Sequence, residues 1–175
     1  MANTMTDQYL SNNQHYASGE ALHKPHYPGK QRIQPAKRVA VVACMDARLD
    51  VEDLLGLQTG DAHIIRNAGG VVTDDTLRSL VISHYLLGTE EFMVINHTDC
   101  GLMHATEQDL RTRIQNRTGT AAVAPSFFYA FQNLDENVRH QLQKLRTHPW
   151  IPREVAVRGF VYDVVTGLLR EIKDF

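Results

Sequence analysis

Phe92-Met93-Val94-Ile95-Asn96-His97-Thr98-Asp99-Cys100-Gly101 joins an apolar run to an imidazole and a thiol separated by two residues. The first four residues read as a buried strand. His97 and Cys100, just past its end, are two members of a metal-ligand set that needs a third. Cys44 supplies it, because it closes another apolar run, Val39-Ala40-Val41-Val42-Ala43, and opens the polar segment Cys44-Met45-Asp46-Ala47-Arg48. Ligands at two strand ends meet if the strands are parallel neighbours, since an open α/β sheet gathers its site at the carboxyl ends of its strands. The expected fold is therefore α/β, a mainly parallel central sheet flanked by helices.

Two thiolates and an imidazole suit zinc, which catalytic sites hold with three protein ligands and one open position. The chain has only two cysteines, so any fourth protein ligand would be a histidine or a carboxylate. A disulfide or a pair of inert core thiols is the competing reading. An intracellular compartment disfavours the first, and the polar neighbours disfavour the second.

The segments between these strands follow the same plan. Val51–Leu57 has apolar residues at helical spacing and stops at Gly56 and Gly60. Ala62-His63-Ile64-Ile65 reads as a short strand running into Arg66-Asn67-Ala68-Gly69-Gly70. Thr73-Asp74-Asp75 supplies a cap and first-turn acids for a helix carrying Leu77, Leu80, Val81 and Tyr85 and closing at Gly88. The order β, short α, β, α, β marks a parallel sheet with right-handed crossovers. Thr106 opens a further helix that ends near Thr118-Gly119. The apolar stretch 121–132, with Phe127, Phe128 and Phe131, reads as core or subunit interface rather than as a substrate box. Asn133 to Arg146 is amphipathic, with Leu134, Val138, Leu142 and Leu145 in one stripe. Val155–Val164 and Leu168–Ile172, either side of Thr166-Gly167, read as an antiparallel pair at a sheet edge.

At 175 residues the chain fits one domain. Residues 1–36 are expected to be a helix capped by Thr6 and then an extended arm broken by Pro25, Pro28, Gly29 and Pro35. Lys and Arg number 18 against 20 Asp and Glu, a net charge of −2. That balance argues against a nucleic-acid surface. Met1 to Tyr16 has no apolar core of a signal peptide. No apolar run approaches the roughly 20 residues of a membrane helix, so a soluble cytoplasmic protein is expected. No G-x-G-x-x-G or G-x-x-x-x-G-K-[ST] follows any strand, which sets a nucleotide-binding domain aside.

Asp46 and Arg48, two and four residues past Cys44, lie close to any ion held there. A carboxylate beside a zinc-bound water can accept its proton or its hydrogen bond, and an arginine can hold that carboxylate by a bidentate contact. Asp46 as a fourth zinc ligand would instead close the site. Zinc with an open position lowers the pKa of water to about 7 and presents hydroxide to an electrophilic carbon. Arg48 and the backbone N–H groups of Ala68-Gly69-Gly70 are expected to offset part of the charge that two thiolates donate, and the same glycines also read as a tight strand-to-helix turn.

Cys44-x-Asp46-x-Arg48, Arg66-Asn67-Ala68-Gly69 and His97-Thr98-Asp99-Cys100-Gly101, in this order and spacing, resemble the β-class carbonic anhydrases, in particular the small bacterial and archaeal members. The likeness runs from the N-terminal arm to Arg158-Gly159-Phe160-Val161-Tyr162-Asp163. It implies Cys44, His97 and Cys100 as ligands of one Zn2+ per subunit and Asp46 with Arg48 as the catalytic dyad. It implies Gly101 as the close-packed residue after the last ligand, and an antiparallel edge strand. It also implies a homodimer with sites at the subunit interface, or a homotetramer built from dimers. The same clade includes hydrolases of carbonyl sulfide and carbon disulfide, so carbon dioxide hydration has a hydrolase alternative on the same metal. Ala68, Gly69, Gly70 and Gly101 are the candidate substrate-pocket residues. A scaffold protein with a closed structural zinc is the non-enzymatic alternative. His104 reads as a solvated helix-start residue more readily than as a proton carrier, and His84 as structural.

Overall fold

The computed structural model describes residues 5–18, 32–121 and 125–173. The chain divides into two compact units, residues 1–33 and 34–175. In the first, α1 (Met5–Ala17) is a single helix. Thr6 lies inside it rather than capping it, because the helix already includes Met5. Pro25, Pro28 and Gly29 of the expected arm fall outside the described residues.

The second unit is built on five strands: β1 (Val39–Cys44), β2 (Ala62–Asn67), β3 (Glu91–His97), β4 (Ala156–Tyr162) and β5 (Leu169–Ile172). Their order is β2-β1-β3-β4-β5. All pairs are parallel except β4 with β5, which is antiparallel. The helices are α2 (Val51–Leu55), α3 (Asp74–Tyr85), α4 (Glu107–Thr118) and α5 (Leu134–Thr147).

Alternate residues of β1 serve two cores. Ala40 and Val42 join Leu80, Phe92, Val94, Val138, Leu142 and Leu145 on one face. Val41, Ala43 and Cys44 join Leu49, Val51, Ile95 and Cys100 on the other. A central strand covered on both faces has no polar side to show, which is why it reads as an uninterrupted apolar run. Helix α5 lies close on β4 because residue 159 is glycine. A Cβ there would meet Val138 Cγ1 at 2.5 Å and Leu142 Cδ1 at 2.9 Å.

Capping chemistry sets the helix ends. Thr73 accepts from the N–H of Thr76, and Thr106 with Asp109 forms a reciprocal capping box. Gly56, in the left-handed region at φ 66°, ends α2 at Leu55, two residues earlier than the apolar spacing suggests. The stretch 121–132 takes no helix or strand where it is described. Instead, Glu107 accepts the N–H groups of Phe128 and Ala130, while Arg111 donates to the carbonyls of Pro125 and Ser126. Phe127 stays exposed.

Candidate metal centre

Parallel pairing of β1 with β3, in the register Val42 to Val94 and Ala43 to Ile95, sets the two carboxyl ends side by side. Cys44 is the last residue of β1 and His97 the last of β3, with Cys100 three residues on. Their ligating atoms all lie within 4.8 Å of one another, and all three residues are buried.

The His97 ring is fixed by its Nδ1, which donates to the carbonyl of Thr98 at 2.8 Å. That leaves Nε2 as a lone pair, and it is buried without a hydrogen-bond partner among the described residues. A buried acceptor left unsatisfied is costly. Beside two buried sulfurs, a cation relieves that cost, and the donor set of two S and one N with an oriented second ring nitrogen suits Zn2+.

The sulfurs divide their roles. The thiol of Cys100 donates to Cys44 and, against burial, holds Cys44 well below the ordinary thiol range. His97 and the N–H groups of Asp46 and Gly69 add to this. Cys100 is driven up by being that donor and by burial. Burial opposes charging His97, yet the adjacent Cys44 sulfur and the Thr98 carbonyl outweigh it and raise its pKa. Two sulfurs thus share a proton that a metal ion displaces on binding.

Asp46 and Arg48 form a fork. Arg48 Nε reaches Asp46 Oδ1 at 2.9 Å and Nη2 reaches Oδ2 at 2.8 Å, while the Arg48 N–H also donates to Oδ1. Arg48 hydrogen bonds hold the Asp46 carboxyl far below the usual carboxylate range. Asp46 Oδ2 lies 3.8 Å from His97 Nε2, so the carboxylate borders the metal position while its oxygens are engaged by arginine.

Four contacts around this fork were not apparent from spacing. Arg48 Nη1 also binds Asp99 Oδ2 at 2.8 Å, and Asp99 Oδ1 lies 2.9 Å from His104 Nε2. Asp99 takes a positive φ of 54°, which turns the chain between the two ligands of the second pair. Arg66 Nε donates to the carbonyl of Cys44 and its Nη2 to that of Asp46, tying the end of β2 to the ligand loop. His84 is structural: its Nδ1 lies 2.7 Å from the carbonyl of Thr89.

The candidate pocket residues separate. Ala68 to Gly70 form a 3-10 segment after β2, kinked at Gly69, where φ is 83°. Gly69 is ringed by Leu102, Val71 and Phe131, and Gly70 is pressed onto the backbone of β1 and β3. Ala68 is exposed. Gly101 is also exposed, and among the described residues a Cβ there would meet nothing within 4 Å, so the close packing expected of it is not made by them. It opens a surface 3-10 turn, Gly101–Met103, instead of a buried contact.

The protein-family model described as Carbonic anhydrase matches residues 39–169. Beta-carbonic anhydrase 1 of Mycobacterium tuberculosis is 45% identical over 170 residues, covering 97% of this chain and 98% of its own. A carbon disulfide hydrolase of Acidithiobacillus thiooxidans is 37% identical over 152 residues, covering 77% of this chain and 76% of its own. Among solved structures, a carbonic anhydrase from Streptococcus mutans superposes with a TM-score of 0.89 at 40% identity, covering 99% of this chain and 100% of that one.

Proposed function

The chain belongs to the β-carbonic anhydrase family, and from that premise we propose that it catalyses the reversible hydration of carbon dioxide to bicarbonate, with Cys44, His97 and Cys100 holding Zn2+. The observation that carries this reading is the convergence of three buried ligating atoms around an unpartnered His97 Nε2, with the Asp46–Arg48 fork at its rim. Zinc, when bound, supplies a Lewis acid that makes a water nucleophilic near neutral pH.

The protein's own groups do the rest. Cys44, Cys100 and His97 Nε2 would hold the ion, with solvent as its remaining partner. Arg48 turns the Asp46 carboxylate and keeps it ionised. A carboxylate held that acidic is a poor proton store, so its role is to accept a hydrogen bond from the attacking water and aim its lone pair at the carbon. Arg48 thereby also keeps Asp46 from entering as a fourth ligand. Leu102 and Phe131, half-buried beside Gly69, would offer an apolar wall to a linear, uncharged substrate.

A second reading, hydrolysis of carbonyl sulfide or carbon disulfide, is favoured by that apolar wall and by the relative named carbon disulfide hydrolase. Carbon dioxide takes precedence because the relative named for carbonic anhydrase matches nearly the whole chain at higher identity. One zinc-quantified preparation decides between them. Carbon dioxide hydration is followed by stopped flow and hydrogen sulfide release from carbonyl sulfide in parallel. Fast hydration with slow sulfide release is expected, the reverse assigns a sulfur substrate, and silence in both assigns a structural zinc.

The same reading places the protein in the cytoplasm as a homodimer or a dimer of dimers, with residues 1–36 as a helix and arm appended to one domain. Met45, between Cys44 and Asp46, and Phe127 stand exposed, which fits a subunit interface beside the site. Among the described residues no helix is long and apolar enough to cross a membrane.

A further inference from the structure

Helix α5 buries two polar residues among its apolar stripe: Asn137 is 8% exposed and Gln141 3%. Side-chain amides in such positions cost stability unless every group is paired. Here they are paired in one direction. The N–H of Val72 donates to Gln141 Oε1 at 2.9 Å, Gln141 Nε2 donates to Asn137 Oδ1 at 2.9 Å, and Asn137 Nδ2 donates to Asn96 Oδ1 at 2.7 Å. Asn96 Nδ2 then donates to the carbonyls of both Gly69 and Gly70 at 3.0 Å. Both ends are backbone groups with only one possible role, so the orientation of all three amides is fixed. The chain starts and finishes on the same turn, residues 69–72, which it clamps.

That turn lies on the metal centre. A Cβ at Gly70 would come within 2.9 Å of the Cys44 backbone nitrogen and 2.8 Å of the Ile95 carbonyl. Asn96 directly precedes the ligand His97. We propose that Asn96, Asn137 and Gln141 are positioning residues for the metal site, an amide ladder that fixes the 69–72 turn against Cys44 and so sets the geometry of its sulfur towards the ion. The inference rests on the metal-site reading above. An apolar core of the same shape would pack α5 equally well; what the amides add is a set of side-chain partners for the Gly69 and Gly70 carbonyls and the Val72 N–H, in a turn where the two glycines have no side chains of their own.

The test is Gln141→Met, which keeps the volume and removes both hydrogen bonds, beside Leu142→Ala, which weakens the same helix without touching the ladder. Each full-length protein is loaded with Co2+, and the sulfur-to-cobalt charge-transfer band is recorded along with the rate of metal loss to a chelator. Gln141→Met is expected to move the band and to speed metal loss about tenfold, the usual effect of removing an outer partner of a ligand. Leu142→Ala is expected to lower Tm with the band unmoved. If Gln141→Met does not fold, Gln141→Glu takes its place, since it keeps the acceptor for Val72 and removes the donor to Asn137. A variant with the parent's band and metal-loss rate overturns the ladder, while a parent that takes up neither Co2+ nor Zn2+ overturns the metal-site reading with it.

Discussion

Gly70→Ala puts a single methyl group where the turn meets the sheet. Gly70 has φ 60°, and the added Cβ would stand 2.8 Å from the Ile95 carbonyl oxygen, 2.9 Å from the Cys44 nitrogen and 3.0 Å from the Ala43 carbonyl carbon. All three are backbone atoms of central strands, so none can rotate away. The left-handed conformation costs alanine roughly 1–2 kcal/mol, and forcing extra volume into a packed site costs about 1–3 kcal/mol more. The sum, about 2–5 kcal/mol, is a large share of a typical stability of roughly 5–15 kcal/mol. For a chain of this size it corresponds to a Tm fall of about 4–20 °C. Gly88→Ala separates the two contributions: Gly88 has φ 72° with nothing within 4 Å of its would-be Cβ, so it bears the conformational cost alone. Thermal melts by circular dichroism, with zinc per chain measured alongside, give the comparison. Gly70→Ala should melt well below Gly88→Ala and lose zinc, whereas equal melting and full zinc in both would refute a close-packed turn at Cys44.

Other perturbations separate metal holding, catalysis and packing. Asp46→Asn should retain zinc and lose most carbon dioxide turnover, because the amide offers a weaker acceptor to the water; unchanged turnover by stopped flow would remove Asp46 from the site. Glu107 has its pKa lowered: burial works against its charge, but the N–H groups of Phe128, Ala130 and Tyr129 prevail. The folded-state value lies below the unfolded one, so its support of this segment is present above the ordinary glutamate range and fades as pH falls through the folded value. Amide exchange at Phe128 and Ala130 should therefore quicken, relative to neighbouring amides, on acidification and in Glu107→Gln; a pH-independent ratio would count against the anchor. Gly159→Val should push α5 off β4 and cost about 1–3 kcal/mol by overpacking, read as a lower Tm in chemical and thermal melts.

Much of the fold was legible because it is periodic or uniform. The runs 39–43 and 92–95 announce central strands, and ligands at their ends announce parallel pairing. The edge pair around Thr166-Gly167 was likewise readable, since β4 and β5 pair antiparallel with Gly167 in the left-handed region. What stayed hidden was carried by side chains reaching across long sequence separations. Asn137 and Gln141 fall at helical spacing on the same side as Leu134, Val138, Leu142 and Leu145, but nothing in that spacing says that Asn137 meets Asn96, 41 residues away. Asp99 reads as a spacer between ligands, and its grip on Arg48 depends on a positive φ that sequence spacing does not encode. The stretch 121–132 reads as core or subunit interface, and Phe131 does pack against one core while Phe127 stays exposed; what left no pattern is the hold of Glu107 and Arg111 on its backbone. Gly101 is exposed in its 3-10 turn, and what faces such a turn is not encoded in spacing.

The most direct test of the account is a zinc titration of metal-free protein with carbon dioxide hydration followed at each step. The expected result is hydration that rises in proportion to zinc and levels off at one ion per chain, with Cys44→Ser unable to follow. One zinc bound per chain with hydration no faster than buffer alone would contradict it.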